Sequence, residues 1–298
     1  MAASSDSSAA WVETQRAALA RLLEDRMAAP PDGDPGRLVE AMRYSLLAPG
    51  KRVRPLLSLA AASTARGVDD NVRLAAASVE LVHCYSLIHD DLPAMDDDEL
   101  RRGKPTCHVV YGEDVAILAG DGLFAEAIKL VLDKQDGDPS GVLRALRHLV
   151  AAISVSGMVG GQYVDVKETA RHDEAGLRHL HELKTGRLIA AAIECPLLLF
   201  GAGEAATMGL RRFAAELGVL FQIVDDILDV TGDEAALGKP QGSDERHGKR
   251  TYVSVFGLDR ARELARESHG NARAALADAG GQTATLEQIT DYILTRDT

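Results

Sequence analysis

Two clusters of aspartate residues constrain what this chain of 298 residues can fold into. The first cluster runs from Asp90 to Asp98 and the second from Asp225 to Asp229, and each closes a largely apolar run. Carboxylates packed this densely repel one another and are costly beside apolar surroundings. The pattern therefore predicts that both clusters hold divalent cations. Because the clusters offer oxygen ligands without His or Cys, they favour a hard ion such as Mg2+.

The alternative interpretation is that each cluster is only a solvated acidic end of a helix. Acidic residues at a helix C-terminus oppose the helix dipole, so this alternative needs compensating charges elsewhere in the fold. A calcium-binding EF-hand loop is a poor match, because no Gly or Glu stands at the offsets that such a loop requires.

The rest of the chain predicts a single all-α domain over residues 1–298, folded as one large helical bundle. Hydrophobic residues make up 46% of the chain, enough for a large core, and Ala and Leu recur at spacings of three and four residues. Residues 1–8 are expected to form a frayed tail. No hairpin signature is apparent, and Asn71 and Ser140 are predicted as helix N-caps. Helices are expected at about 8–27, 36–47, 53–67, 70–92, 114–133, 140–156, 173–184, 187–201, 205–230, 251–278 and 285–296.

Overall charge and cysteine content narrow the functional classes. The net charge of −12 argues against nucleic acid as a partner, although local clusters of Lys and Arg can still bind phosphorylated small molecules. Three widely spaced cysteines favour a reducing, cytoplasmic location without disulfides. No apolar run is expected to approach the length of a membrane span, and the N-terminus lacks the basic start and apolar core of a signal peptide.

Helical geometry indicates how each acidic cluster could converge on an ion. Asp225 and Asp229 are four residues apart and share one helix face, with Gln222 one turn earlier. Asp90 and Asp96 lie about 240° apart around a regular helix, so an unbroken helix cannot direct both to one ion. Pro93 breaks the helix between them, which would allow Asp96 to swing back toward Asp90.

Basic residues near these clusters are candidate ligands for phosphate. They stand in the segment 50–55 before a predicted helix, in the segment 101–105 after the first cluster, and at Lys184, Lys239 and Lys249. Arg offers a forked pair of donors and Lys a point charge, and both suit phosphate oxygens. His83, seven residues before Asp90, lies on the same helix face. A lone surface lysine or helical histidine is more often structural, and only their grouping favours a functional role.

Taken together, these motifs resemble the trans-polyprenyl diphosphate synthases, most of all the bacterial short-chain farnesyl diphosphate synthases. The resemblance covers residues 36–296, and two acidic motifs of the DDxxD type are its strongest part. The matching pieces are GKRVRP at 50–55, YSLIHDDLPAMDDDELRRGKPTCH at 85–108, GGQ at 160–162, KTG at 184–186 and FQIVDDILDVTGDEAALGKPQGSD at 221–244. Pro49 departs from the family pattern, where glycine is common, and proline has no N–H to offer a phosphate.

The resemblance implies an isoprenoid synthase bundle with a central active-site cavity and a role for each matching residue. Three Mg2+ ions would be bound by Asp90, Asp96 and Asp225, with support from Asp91, Asp226 and Asp229. An allylic diphosphate would be held by Arg101, Lys184, Lys239 and Lys249, with Thr185 and Gln222 nearby. Isopentenyl diphosphate would be held by Lys51, Arg54, His83 and Arg102. The catalytic candidates are Asp90, Asp91, Asp96, Lys184, Asp225 and Lys239.

The implied reaction is ionisation of an allylic diphosphate, followed by attack of isopentenyl diphosphate on the allylic carbocation and loss of a proton. Tyr85 lies roughly 7.5 Å before Asp90 along the helix, with Ser86 beside it, and could form the floor of the product cavity. The resemblance then implies farnesyl diphosphate (C15), with geranylgeranyl diphosphate (C20) as the alternative, and a homodimer. Ordinary packing is the alternative role of Tyr85.

Two rival functions share parts of this pattern. A terpene cyclase has the same fold and first acidic motif, but it would carry a different second metal motif and an aromatic-rich pocket. Only 4% of residues here are aromatic, which argues against it. A non-catalytic subunit of a heteromeric synthase would be expected to lose acidic motifs, whereas both are intact in this chain.

Overall fold

Leucine and alanine at helical spacing give the bundle its buried faces. In the helix Val53–Ser63, Leu56, Leu57, Ala60 and Ala61 are all buried. The computed structural model describes residues 2–27, 36–167, 169, 171, 173–232 and 249–296. Within these ranges the predicted all-α fold is confirmed, and a two-stranded hairpin is the only sheet.

The elements follow one another in a nearly uninterrupted series of helices. In chain order they are α1 (Ala2–Arg26), α2 (Leu38–Leu46), α3 (Val53–Ser63), α4 (Asp70–Asp90), β1 (Leu100–Arg101), β2 (Lys104–Pro105), α5 (Cys107–Tyr111), α6 (Glu113–Lys134), α7 (Pro139–Ile153), α8 (Met158–Val166), α9 (Glu174–His181), a π-helical turn (Glu182–Gly186), α10 (Arg187–Leu199), α11 (Glu204–Thr231), α12 (Tyr252–Phe256), α13 (Leu258–Ala279) and α14 (Ala284–Thr295). Helix α1 begins at Ala2 and so includes most of the segment expected to be frayed. The single-domain boundary at 1–298 stays a prediction.

Helix α10 joins the two main apolar clusters of the bundle. Leu188 and Ala192 of α10 belong to the apolar cluster built from α1, α2, α4, α6 and α7, whereas Ile189 and Ile193 belong to the cluster built from α3, α11, α13 and α14. The most extensive contacts between helices are those of α11 with α13, of α4 with α6, and of α10 with α7 and α3. Since both faces of α10 are buried, it is the central helix around which the two halves pack.

Two predicted N-caps are wrong, because an aspartate stands just before each helix. The Asp69 carboxylate accepts a hydrogen bond from the Val72 N–H at 2.9 Å and caps α4. Asp138 caps α7 in the same way through the Gly141 N–H at 2.9 Å. The predicted caps Asn71 and Ser140 lie one turn or less inside these helices. An aspartate in extended or turn backbone is well placed to take this role.

The short hairpin that follows the first acidic cluster had no predicted counterpart. Leu100 pairs with Pro105 and Arg101 with Lys104, and the turn between them places Arg102 and Gly103 at φ 55° and 74°. Positive φ at both central positions is typical of the tightest hairpin turns, in which glycine is favoured. Arg102 therefore occupies a backbone conformation that is unfavourable for a residue with a Cβ atom.

One stretch of the described chain, Pro139–Val166, is long and apolar enough to cross a membrane by length and composition, with a mean hydropathy of 1.4. This stretch is therefore an exception, within the described residues, to the prediction that no apolar segment approaches the length of a membrane span. The structure divides the stretch into α7 and α8, which are separated at residues 154–157. Of the most apolar 18 residues in this stretch, a third are buried in the bundle. Core helices of globular proteins have the same composition, so this stretch is weak support for a membrane span.

Candidate active site

A cavity of about 700 Å3 lies between α3, α4, α8, α10, α11 and α14. Asp90 from the first acidic cluster and Asp225 from the second both line it. The predicted phosphate-binding residues that also line it are Lys51, Arg54, His83, Arg101, Arg102 and Lys184. Two acidic motifs 135 positions apart and two of the basic segments therefore face one space.

The first acidic cluster folds back on itself, as the position of Pro93 predicted. Helix α4 ends at Asp90, and the chain turns so that the Asp96 N–H donates to the Asp90 carbonyl oxygen at 2.8 Å. The proline cannot continue the helical hydrogen bonds, so the turn begins where the sequence places it. The carboxylates of Asp90 and Asp96 thereby become neighbours.

Asp90 is buried and Asp96 is half-buried, and each has its own compensating group. Burial, with a smaller contribution from Asp96, raises the pKa of Asp90 to about 6 against the opposing charge of Lys184. The Gln162 side-chain amide donates to Asp90 Oδ1. Burial also acts on Asp96, yet Lys249, whose Nζ lies 2.7 Å from Asp96 Oδ2, and Lys184 together hold its pKa below the usual value. Charge compensation across sequence-distant elements therefore makes the cluster tolerable inside the bundle.

Asp91 faces Arg101 instead of the cavity. The Arg101 guanidinium donates to both carboxylate oxygens, from Nε at 2.8 and 3.0 Å and from Nη2 at 2.5 Å. Asp91 is only 3% exposed, and it is absent from the described residues that line the cavity. This forked pair fixes the direction of Arg101, which does line the cavity.

In the second cluster, Asp225 is the carboxylate that faces the cavity. It pairs with Arg296, just beyond the end of α14. Asp226 is buried and accepts hydrogen bonds from the Tyr252 N–H at 2.7 Å and from the Gln222 amide at 2.8 Å. Asp229 is buried as well. The predicted metal role of these last two residues remains a prediction, and the described contacts of Asp226 join α11 to α12.

A π-helical turn between α9 and α10 presents Lys184 and Thr185 to the cavity. Turns of this type insert an extra residue into a helix and are frequent at functional sites. Lys184 Nζ lies 2.5 Å from Asp165 Oδ2, and Thr185 donates to Gln222 Oε1 at 3.0 Å. Gln222 therefore links Thr185 to Asp226, a role that the helix-face argument did not anticipate.

The GGQ segment packs directly against this turn. A Cβ atom at Gly161 would lie 2.4 Å from the Lys184 backbone nitrogen, so the backbones of α8 and the π-helical turn can approach only without a side chain there. The next residue, Gln162, is the one that reaches Asp90. Gly161 therefore brings Gln162 and Lys184 to the same carboxylate.

The other end of the cavity is cationic. His83 Nε2 lies 3.3 Å from Arg54 Nη1, and burial followed by the charge of Arg54 lowers the pKa of His83 well below its usual value. His83 is therefore a neutral ring among cations. Lys51 Nζ lies 5.9 Å from the centre of the Tyr292 ring. Arg102 Nη1 donates to the Pro49 carbonyl oxygen at 3.0 Å. Pro49 has no N–H for a phosphate, but its carbonyl oxygen helps to hold Arg102 in place.

The predicted product-length residues lie on α4. The Tyr85 ring is buried in edge contacts with Phe124 of α6 at 5.4 Å and with His89 at 5.8 Å between ring centres. Ser86 lines the cavity and donates to the His83 carbonyl at 2.9 Å. The ring of Tyr85 thus fills space between α4 and α6, and it is not among the described residues that line the cavity. Predicted ligand Lys239 lies outside the described residues.

Several cavity residues were not predicted as site residues. Gln162 belongs to the quoted GGQ segment, which was the available signal for it. Arg296 had no sequence signal; it stacks over the Phe221 ring at 4.4 Å and pairs with Asp225. Phe221 also contacts Arg54, at 5.4 Å from its ring centre. One aromatic ring therefore separates the guanidinium of Arg54 from that of Arg296, which pairs with Asp225.

The acidic donors fit a hard metal ion by their chemistry. No three His, Cys, Asp or Glu side chains within the described ranges already surround a common point as metal ligands. Asp90, Asp96 and Asp225 instead lie against Gln162, Lys249 and Arg296 respectively. Carboxylate oxygens are the ligands that hard divalent cations prefer, so these three side chains suit such an ion.

Comparison with known proteins gives consistent matches over nearly the whole chain. The sequence profile of the polyprenyl synthetase family matches residues 35–293. The chain is 43% identical to the farnesyl diphosphate synthase of Escherichia coli (strain K12) over 267 residues, covering 87% of this chain and 89% of that protein. It is 44% identical to a chloroplastic geranylgeranyl pyrophosphate synthase of Capsicum annuum over 268 residues, covering 89% of this chain and 73% of that protein. Among solved structures, a geranyltransferase from Helicobacter pylori, complexed with magnesium and isoprenyl diphosphate, has a TM-score of 0.84 at 30% identity and covers 96% of this chain and 95% of its own.

The contact of Gly161 with Lys184 predicts the effect of a single methyl group. Gly161→Ala should destabilise the protein by about 1–3 kcal/mol, because α8 and the π-helical turn must separate. Denaturant unfolding measures this change. The control is Gly270→Ala in α13, where an added Cβ meets no atom within 4 Å. That variant should be neutral or slightly more stable. An unchanged unfolding midpoint in Gly161→Ala would contradict the packing argument.

Proposed function

Since the chain belongs to the polyprenyl synthetase family and is a trans-prenyltransferase, we propose that it condenses isopentenyl diphosphate with allylic diphosphates to give farnesyl diphosphate (C15). The observation that carries this proposal is a single cavity with two ends of different charge. One end combines carboxylates with cations, and the other is cationic with a neutral histidine. Geranylgeranyl diphosphate (C20) is the second candidate product, because relatives of both types are similarly identical to the chain.

Magnesium use follows from the family and is supported by the magnesium in the Helicobacter pylori relative. Asp90, Asp96 and Asp225 would hold it, with Asp91, Asp226 and Asp229 in supporting positions; three ions per site is our proposal. When bound, magnesium neutralises the allylic diphosphate and makes it a better leaving group. The chain itself supplies oxygen ligands from two elements, so that the diphosphate would be held between α4 and α11.

Cations next to the first acidic cluster would hold the allylic diphosphate. Lys184 and Arg101 line the cavity, and their ion pairs with Asp165 and Asp91 set their directions. Lys249 reaches the same cluster through Asp96. Thr185 and Gln222 would complete this end, and Lys239 is proposed for it from the sequence alone.

Isopentenyl diphosphate would lie at the cationic end, against Lys51, Arg54, His83 and Arg102. In the reaction the allylic C–O bond breaks, and its electron pair leaves with the diphosphate. The double bond of isopentenyl diphosphate attacks the allylic carbocation to form the new C–C bond. One proton is then lost, and the departing diphosphate would accept it. Because water would capture the carbocation, the apolar lining by Leu87, Met158 and Leu188 favours alkylation.

The proposed activity has a direct test. With Mg2+, labelled isopentenyl diphosphate and dimethylallyl or geranyl diphosphate, the purified protein should form a labelled C15 product, and chelation of the metal should abolish it. Asp90→Asn and Asp225→Asn should each lower kcat/KM by about a hundredfold or more, because each removes a ligand from the leaving-group site.

Asp259→Asn is the matched control for these carboxylate variants, because that side chain is 99% exposed on α13. It should retain full activity. Products limited to C20 would favour the second candidate. A wild-type protein that releases hydrocarbon from an allylic diphosphate alone would contradict the prenyltransferase assignment.

The product-length proposal is tested separately at α4. Tyr85→Ala should shift the products beyond C15, because removal of the ring opens the space between α4 and Phe124. Tyr85→Phe keeps the ring and should keep the product length. Chromatography of the dephosphorylated products measures both. If Tyr85→Ala makes products no longer than those of the wild type, the ring does not limit the chain.

A homodimer in the cytoplasm completes the proposal. Large apolar side chains are exposed on neighbouring helices, among them Ile117 and Leu118 of α6 and Leu143 of α7 at 45%, 55% and 50% exposure. Burial of this face in a second copy would remove apolar area from water. Sedimentation equilibrium should give twice the mass of one chain for the wild type, and Leu118→Asp should shift the protein toward the monomer. A monomeric wild type would exclude this assembly.

A further inference from the structure

A buried ion pair lies at the cationic end of the cavity, between Arg52 of the 50–55 segment and Glu80 of α4. The Arg52 Nη1 donates to Glu80 Oε1, and the two side chains are only 11% and 3% exposed. Neither residue is among those that the family resemblance assigns to substrate or metal. Both nevertheless line the cavity.

Arg52 holds the loop that precedes α3. Its other terminal nitrogen donates to the carbonyls of Leu46 and Ala48, at 2.7 Å each. Its own backbone is left-handed, with φ 53°, which is unfavourable for any residue with a Cβ atom. The side-chain contacts compensate for this conformation by tying the loop to Glu80 and to the end of α2. Lys51 and Arg54 flank this anchored position.

The negative charge of Glu80 offsets the positive charges of three guanidinium groups, those of Arg52, Arg54 and Arg102. Its Oε1 accepts from Arg52, whereas its buried Oε2 has no hydrogen-bond partner among the described residues. Burial lowers the pKa of both Arg54 and Arg102, and the negative charge of Glu80 is the main effect that opposes this at each of them. An unpartnered buried carboxylate oxygen needs a physical reason, and nearby cations supply one.

Arg102 is fixed against the same loop from the opposite side. Its guanidinium donates to the Pro49 carbonyl and passes so close to Gly50 that a Cβ atom there would lie 2.2 Å from Nη1. Arg102 also has a left-handed backbone. The loop 46–52 is therefore held between Arg102 and the Arg52–Glu80 pair, and the cations on it have few alternative positions.

We propose that Arg52 and Glu80 are positioning residues for the isopentenyl diphosphate end: they fix Lys51, Arg54 and Arg102 in the arrangement that receives the second diphosphate. This inference rests on the proposed function, which assigns that end to isopentenyl diphosphate. The pair itself need not touch the substrate. Its effect passes through the loop backbone and through the charge of Glu80 on its neighbours.

A positioning role and a purely charge-offsetting role of Glu80 predict opposite changes in the KM for isopentenyl diphosphate when Glu80 is replaced by Gln. If Glu80 only offsets positive charge, its neutralisation makes the pocket more attractive to an anion, and KM for isopentenyl diphosphate falls. If Glu80 positions the arginines, the loop loses its anchor and this KM rises. We expect the second outcome, with a rise of about tenfold or more, the size found when groups that orient direct ligands are removed. KM for the allylic diphosphate and kcat should stay close to the wild-type values.

The experiment compares Glu80→Gln, Arg52→Gln and the double variant in steady-state kinetics with each substrate varied in turn. Because the two side chains act as one unit, the double variant should be no worse than the poorer single variant. Glu80→Asp keeps the charge and should recover part of the isopentenyl diphosphate affinity. Glu80→Asp also serves as the test if Glu80→Gln does not fold. If both Glu80→Asp and Arg52→Gln keep the wild-type KM for isopentenyl diphosphate, the proposal is overturned.

Glu194→Gln is the matched control, because Glu194 is equally buried, pairs with Arg211 at 2.7 Å and does not line the cavity within the described residues. It should lose stability without a change in either KM. The proposed function and the positioning role can fail separately. Wild-type protein that forms no condensation product contradicts the proposed function. Active wild type with an unchanged or lower isopentenyl diphosphate KM in Glu80→Gln contradicts only the positioning role.

Discussion

The cavity depends on charge compensation inside an apolar bundle. Carboxylates and guanidinium groups cannot be buried alone, since each loses its hydration and gains little unless a partner is close. Four acidic residues that face the cavity or stand behind it each pair with a cation from another segment: Asp91 with Arg101, Asp96 with Lys249, Asp225 with Arg296, and Glu80 with Arg52. These pairs tie helices to the loops and to the hairpin beside them, so the charged residues also fix the position of those segments.

Backbone rules predicted the parts of this site that lie within a few residues of one another. Pro93 ends α4, and that alone brings Asp96 back to Asp90. The alignment of His83 with Asp90 on one helix face likewise follows from helical spacing, and both line the cavity. Such predictions succeed because the geometry is decided by one segment of backbone and does not depend on what packs against it.

Contacts between distant segments explain the parts that the sequence could not predict. Spacing placed Asp229 on the face of Asp225, but it could not reveal that Asp226 is engaged by the Tyr252 N–H, 26 residues later. The cap positions failed for a simpler reason, because Asp69 and Asp138 precede the residues chosen and are better acceptors. Helix α8 was missed since its two glycines weaken the helical pattern, yet the absence of a side chain at Gly161 permits contact with Lys184. Residues such as Arg296 have no local pattern at all.

The two ends of the cavity differ in a way that bears on which diphosphate can leave. At one end, the cations Lys184 and Lys249 stand among carboxylates that compete for them, so a diphosphate there gains its full neutralisation only when the carboxylates bind metal instead. At the other end, Glu80 is already committed to Arg52, and Lys51, Arg54 and Arg102 can face an anion without metal. Neutralisation by metal favours departure of a leaving group. Only the allylic C–O bond leaves a resonance-stabilised carbocation when it breaks. In the proposed function, the carboxylate-rich end beside Asp90 would therefore receive the allylic diphosphate, which ionises, and the end beside Arg54 would receive isopentenyl diphosphate, which attacks as the nucleophile.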